Sequence, residues 1–186
     1  MTWPFGDLRT FGYDVIVADP PWDFELYSEN GNRKGAAPHY KLMSTPEIKA
    51  LPVGHLARGD SLILLWGTSP HLPQCLDVLA GWGAVYKTML VWRKVTRTGK
   101  VRWGTGYRAR TGHEIILVGT IGNPAHKPFP SIFDGVAREH SRKPDEFYEI
   151  VLRHCPHAFR CDLFARQSRP GFDAWGNEAT KFDKAA

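Results

Sequence analysis

The sequence predicts an open α/β sheet, largely parallel, and three features point there. The apolar runs "VIVA", "LILLW" and "IILVG" are continuous rather than alternating, as in strands covered on both faces. Segments carrying helix-start signals lie between them. The chain has 186 residues, 42% of them hydrophobic and 23% charged, a size and composition suited to one globular domain with its own core. That domain is read over residues 1–186, with functional loops at about 23–43 and 93–112.

Five strands are expected in order: Asp14 to Ala18, Ser61 to Trp66, Tyr86 to Trp92, Glu114 to Gly119 and Phe159 to Phe164. Between them, "STPEIKAL" starts a helix with Thr45 as cap before Pro46, and "SPHLPQCLDVLAGWG" starts one with Ser69 before Pro70. A third, "KPDEFYEIVLRHC", opens on Pro144 with Asp145 and Glu146 in its first turn. Strands alternating with helices are the pattern of a sheet with helices on its faces.

Two polar, glycine-containing stretches resist this packing, Tyr27 to Tyr40 and Arg93 to Thr111. Long loops in a compact domain are usually functional or disordered. The second holds Arg93, Lys94, Arg97, Lys100, Arg102, Arg108 and Arg110 with no acidic residue, interleaved with Trp103 and Tyr107. Positive charge with stacking rings suits a nucleic-acid strand; the plainer reading is a solvated surface hairpin. The formal net charge of +5 allows a polyanionic partner without requiring one.

No apolar run approaches a membrane span, and "MTWPFGDLRT" lacks the features of a signal peptide, so a cytoplasmic protein is expected, away from membranes. Three scattered cysteines, Cys75, Cys155 and Cys161, make no disulfide framework.

The chemistry concentrates where the first strand ends. Ligands of open α/β sheets bind beyond the carboxyl ends of strands, and Asp19 stands there. Pro20 and Pro21 have no N–H, so the turn is rigid and rich in acceptors. Such a corner suits an exocyclic amine, and Trp22 beside it offers a face for stacking a base. The plainer reading is an Asp-Pro turn followed by a core tryptophan; the four residues together at a strand end favour a site.

This "DPPW" tetrapeptide resembles the signature of the adenine-N6 methyltransferases of the MT-A70 family. The likeness extends through "HYKLMSTPEI", "LILLWGT", "MLVWRK", "HEIILVGT", "SRKPDEFYEIV", "DLFAR" and "WGNE", about Tyr13 to Glu178. It departs at the N-terminus, where longer relatives carry a cofactor-contacting acidic stretch and this sequence has only "MTWPFGDLRTFG". The resemblance implies a Rossmann-like S-adenosylmethionine-dependent methyltransferase fold in permuted order, with the catalytic strand first and the cofactor strand last. It also implies methyl transfer to adenine N6. No dinucleotide glycine fingerprint is needed, and "GTGYRA" at Gly104 lies in the basic loop, away from any strand-to-helix turn.

On this reading Asp19, Pro20, Pro21 and Trp22 are catalytic, with Asp19 and the Pro20 carbonyl each accepting one amine hydrogen. Tyr40 is a second ring near the flipped base, and Arg97, Lys100, Arg102, Arg108 and Arg110 contact the substrate. Lys143, just before a helix, opposes the helix dipole unless an anion is near: the cofactor carboxylate, or Asp19 and Glu114. Glu114 is either a site carboxylate or only a partner of Lys143. Arg138 and Ser141 touch substrate phosphate or cofactor. Asn177 and Glu178 suit ribose hydroxyls, and Asp162, Arg166 and Gln167 lie where adenosine edges would pass.

"HCPHAFRC" gathers His154, Cys155, His157 and Cys161, but the spacing matches no common zinc pattern, so no metal is expected. The other readings are a non-catalytic nucleic-acid-binding relative and a zinc-dependent hydrolase. An intact "DPPW" weighs against the first. DNA is favoured over RNA, with weak sequence discrimination because the loops alone must read it. No obligate protein partner is inferred, and a homodimer is allowed.

Overall fold

A computed structural model of the chain describes residues 3–23, 42–106, 108–139 and 141–183. Its centre is a seven-stranded sheet of strands β1 (Tyr13–Ala18), β2 (Ala57–Gly67), β3 (Val85–Val95), β4 (His113–Ile121), β5 (Ile132–Val136), β6 (Arg160–Leu163) and β7 (Asp173–Trp175). The order across the sheet is β5-β3-β4-β2-β1-β6-β7. Every neighbouring pair is parallel except those made by β4 with β2 and β3, so β4 alone runs against the rest. The sheet is therefore largely parallel, as its continuous apolar strands predict. It has two strands more than the five expected: β5 and β7 are short and partly exposed, without the buried runs that mark the central strands.

The helices are α1 (Thr45–Lys49), α2 (Leu72–Gly81) and α3 (Asp145–His154). Alternation along each strand sorts the core into two layers. Ile16, Ala18, Ile63, Leu65, Leu117 and Leu163 face one way, with Ile48 of α1 and Cys75, Val78 and Leu79 of α2. Val15, Val17, Leu62, Leu64, Ile116 and Val118 face the other, with Phe147, Tyr148 and Val151 of α3.

The helix starts differ from expectation in an instructive way. Ser44, not Thr45, caps α1, because only from Ser44 does the third residue on, Glu47, close a reciprocal capping box: Glu47 accepts from the Ser44 N–H at 2.7 Å. Ser69 caps no α-helix. It begins a 3₁₀ turn, Ser69–His71, and its hydroxyl contacts His113 Nε2 at 2.8 Å. Pro144 stands at the cap position of α3 and offers no side-chain bond.

The predicted basic loop is partly strand. Arg93 and Lys94 belong to β3, Val95 bridges to Val101, and Thr96 N donates to Lys100 O at 2.8 Å to close the turn. Two of its cations are matched by carboxylates from other strands: Arg93 by Asp134 and Lys94 by Glu114. Among the described residues no helix is long and apolar enough to cross a membrane.

Candidate active site

The same alternation that sorts the core places the chemistry. Continuing the α3-facing row past the end of the apolar strands gives Asp19 after β1, Trp66 in β2, Glu114 in β4, Lys94 in β3 and Asp162 in β6. Because β4 is reversed, its first residues arrive at the edge where the other strands end. Glu114 thus reaches that edge from the opposite direction. Lys143 comes down onto this row from the residue before Pro144. Gly135 lets it approach, since a Cβ there would stand 2.6 Å from the Pro144 Cβ and 2.7 Å from Trp92 Nε1.

Lys143 Nζ lies 3.0 Å from Asp19 Oδ1 and 3.0 Å from Glu114 Oε2, and 4.9 Å from the centre of the Trp66 ring. Glu114 Oε1 takes a second cation, Lys94 Nζ, at 2.6 Å. These side chains are 11% (Lys143), 17% (Asp19) and 16% (Glu114) exposed, so the attraction is little screened. The anions that account for Lys143 before a helix are therefore Asp19 and Glu114, using two of its three donors.

The two carboxylates are not equivalent. Burial pushes Glu114 up, but Lys143 and Lys94 together outweigh it and hold its pKa down at about 2. Asp19 pairs closely with Lys143, and Arg166 acts on it from farther off. Burial raises its pKa, Lys143 opposes, and the negative charge of Glu114 adds to the rise. Lys143 itself is pushed down by burial and up more strongly by Asp19 and Glu114, so it stays protonated. Glu114 carries the charge, and Asp19 is left the more basic acceptor.

The corner is stitched in place. Trp22 N donates to Pro20 O at 2.9 Å, a three-residue turn around Pro21; Met43 N donates to Pro21 O at 2.8 Å. Pro20 O keeps one lone pair. Trp22 is 5% exposed, packed in the core with its indole N–H on Trp66 O at 3.2 Å. Its ring braces the corner from behind, instead of offering the open stacking face expected of it. Tyr40 lies outside the described residues, as does Tyr107 and most of the 23–43 loop.

Asp19 opens onto a cavity of about 240 Å³. Ser141, Arg166, Asn177 and Glu178, expected from sequence, line it. Phe164, Trp175, Met43 and Gly176, which sequence reasoning missed, line it too. Two wall residues hold left-handed backbone without being glycine, Ser141 at φ 63° and Phe164 at φ 60°, a conformation kept only where the surroundings enforce it. A Cβ on Gly176 would meet the Ala165 backbone at 2.8 Å, so the chain there can pass only as glycine. Apolar rings, an amide with a carboxylate, and a hydroxyl near an acidic corner fit a ligand with a flat base, a sugar diol and a polar tail. S-adenosylmethionine has those parts.

Asp162 and Gln167 do not line that cavity but a smaller recess beside it, which shares Asp19, Ser141, Phe164 and Arg166 with it and is also lined by Lys143. Asp162 is 2% exposed; it accepts from Tyr148 Oη at 2.9 Å and lies 3.8 Å from an Arg169 nitrogen. Gln167 accepts from Arg142 Nε at 3.2 Å. Cys155 and Cys161 are buried in opposite core layers.

The pattern of sequence matches agrees with this geometry. The MT-A70 family model matches residues 13–178. The chain belongs to the MT-A70 family. Members similar to it include an N(6)-adenosine-methyltransferase MT-A70-like protein of Arabidopsis thaliana, 31% identical over 95% of this chain and 26% of its own length. One of the same description in Drosophila melanogaster is 32% identical, over 94% of this chain and 28% of its own length. The type II methyltransferase M.MunI of a Mycoplasma species is 27% identical over 94% of this chain and 81% of its own length. The chain thus spans little more than a quarter of the two eukaryotic family members.

Burial holds a proton on Asp162 up to about pH 7, with Arg169 and Tyr148 opposing, while an unfolded aspartate releases it near 3.8. Between these values the folded state binds more protons, so stability falls as pH rises from about 4 to about 7. In urea unfolding across that window, Asp162→Asn is expected to flatten the fall by roughly 2–4 kcal/mol. A variant that keeps the wild-type slope would contradict this assignment.

Proposed function

We propose that this protein transfers a methyl group from S-adenosylmethionine to the N6 amine of adenine in nucleic acid, in DNA before RNA, with little sequence discrimination. The chain is read as one methyltransferase domain over residues 1–186, working in the cytoplasm. One observation carries the reading: a basic, buried carboxylate, Asp19, fixed by Lys143 where a rigid proline turn meets a cavity suited to S-adenosylmethionine.

S-adenosylmethionine, when bound, supplies an electrophilic methyl group on a sulfonium. Asn177 and Glu178 would hold its ribose hydroxyls, Phe164 and Trp175 its base, and Ser141 with the third Lys143 donor its polar tail. The chain's own task is to make a poor nucleophile attack. An adenine amine has its lone pair delocalised into the ring. Asp19 accepts one amine hydrogen and the remaining Pro20 lone pair accepts the other. These bonds pull the nitrogen toward tetrahedral geometry and aim its lone pair at the methyl. Once the N–C bond forms, the nitrogen is cationic, and Asp19 is the neighbouring base for its proton. Lys143 and Glu114 keep Asp19 in position throughout.

Arg97, Lys100, Arg102, Arg108 and Arg110 are exposed on the hairpin between β3 and β4, with Trp103 56% exposed among them. Arg102 also donates to Ala137 O at 3.0 Å, and Arg110 lies 5.9 Å from the Trp103 ring centre. The hairpin thus offers phosphate contacts and a stacking face. DNA is placed first because the chain resembles bacterial or phage DNA methyltransferases and covers 81% of the length of the type II methyltransferase M.MunI.

With labelled S-adenosylmethionine and separate DNA and RNA strands, label is expected in N6-methyladenine. Asp19→Ala should lower the rate roughly 10²–10⁴-fold while melting as a folded protein. Label on cytosine, or an undiminished rate in the folded variant, would overturn the reading. Binding to a single strand should weaken steeply with salt, and replacing Arg97 and Arg108 by Gln should reduce the log–log slope by about 1.4. An unchanged slope would return the hairpin to ordinary solvated surface.

A further inference from the structure

Phe182 lies beyond residues 13–178, the stretch that the family model matches. Two guanidinium groups lie over its ring, with Arg142 Cζ 5.1 Å and Arg166 Cζ 5.1 Å from the ring centre. Each such contact between a cation and a ring face is attractive, more so where water is partly excluded. The segment around it is tied down independently. Phe182 N donates to Arg166 O at 3.0 Å, and Asp183 Oδ1 accepts from Ser168 N at 2.8 Å.

The two arginines come from two different segments beside the cavity: Arg166 lines it, while Arg142 and Phe182 line a smaller adjoining recess that shares Asp19, Ser141 and Arg166 with it. Arg166 follows β6 and pairs with Glu178 at 2.7 Å. Arg142 stands beside Ser141 in the connection from β5 to α3, and pairs with Glu139 at 3.1 Å. Arg142 Nε also donates across to Gln167, which neighbours Arg166. The ring therefore adds a link between the Ser141 segment and the Arg166–Glu178 segment, beside the hydrogen bonds from Arg142 to Gln167 and from Arg169 to Lys143 O and Asp145.

We propose that Phe182 is a positioning residue that clamps these two segments of the S-adenosylmethionine cavity together through Arg142 and Arg166. The proposal rests on the reading of that cavity as the cofactor site. The face of the ring is what matters, since an aliphatic side chain of similar bulk presents no negative face to two cations.

Titration calorimetry with S-adenosylhomocysteine on the full chain tests it. Phe182→Leu is expected to weaken binding roughly three- to tenfold, and Phe182→Tyr to stay within about twofold of wild type. In turnover with S-adenosylmethionine, the Phe182→Leu rise in KM for the cofactor should exceed any fall in kcat. Wild-type affinity in Phe182→Leu, or equal weakening in both variants, would overturn the clamp. If Phe182→Leu does not fold, Asp183→Ala gives the answer by loosening the same segment: weaker binding supports the clamp and unchanged binding overturns it. A wild-type protein that fails to bind S-adenosylhomocysteine would overturn the cofactor reading, and the clamp with it.

Discussion

The ion cluster of Lys143 with Asp19 and Glu114 is the constraint to which the rest of the site answers. Burying charged groups is costly unless each is paired, and removing one partner leaves the others exposed to that cost. Here the pairing spans three parts of the fold: the end of β1, the start of β4, and the residue before the Pro144 cap of α3. A sheet with every strand parallel would bring only strand ends to this edge. The reversed β4 adds a strand start, and with it Glu114. Lys94 then supplies the second close cation that lets Glu114 hold the charge, while Asp19 pairs closely with Lys143 alone and feels Arg166 from farther off. An unequal division of charge between two neighbouring carboxylates is how a site obtains one anchor and one acceptor from the same residue type.

Around that cluster the fold separates tasks by direction. The corner of Asp19 to Trp22 is held from behind by Trp22 and Trp66, from the side by Met43, and from the front by Lys143. The cavity beside it belongs to the C-terminal part of the chain, where the left-handed turn at Phe164 and the bare backbone of Gly176 shape its wall. Cations gather on a third element, the β3–β4 hairpin, which emerges at the same edge of the sheet as Glu114 because it joins the strands that carry Lys94 and Glu114.

Much of this was legible beforehand, for identifiable reasons. The central strands were readable because burial on both faces leaves continuous apolar runs, and Asp19 stood out because a carboxylate ends one of them. β5 and β7 escaped because a five-residue strand and a three-residue strand, partly exposed, carry too few apolar positions to form a pattern. For Trp22 the sequence allowed both a core ring and an open stacking face, and contacts with Met43 and Trp66, distant in sequence, decide for the core. The basic loop read as uniformly cationic because its carboxylate partners, Asp134 and Glu114, come from other strands. Phe164 and Trp175 resemble core aromatics in sequence, and only backbone geometry turns them toward a cavity.

The division of charge is open to direct observation by ¹³C NMR titration of carboxyl-labelled protein, with Asp19→Asn and Glu114→Gln used to assign the two signals. Glu114 should remain ionised down to about pH 2, and Asp19 should take up its proton above the ordinary aspartate value of 3.8. The reverse order, with Asp19 the last to protonate and Glu114 titrating above it, would contradict the account.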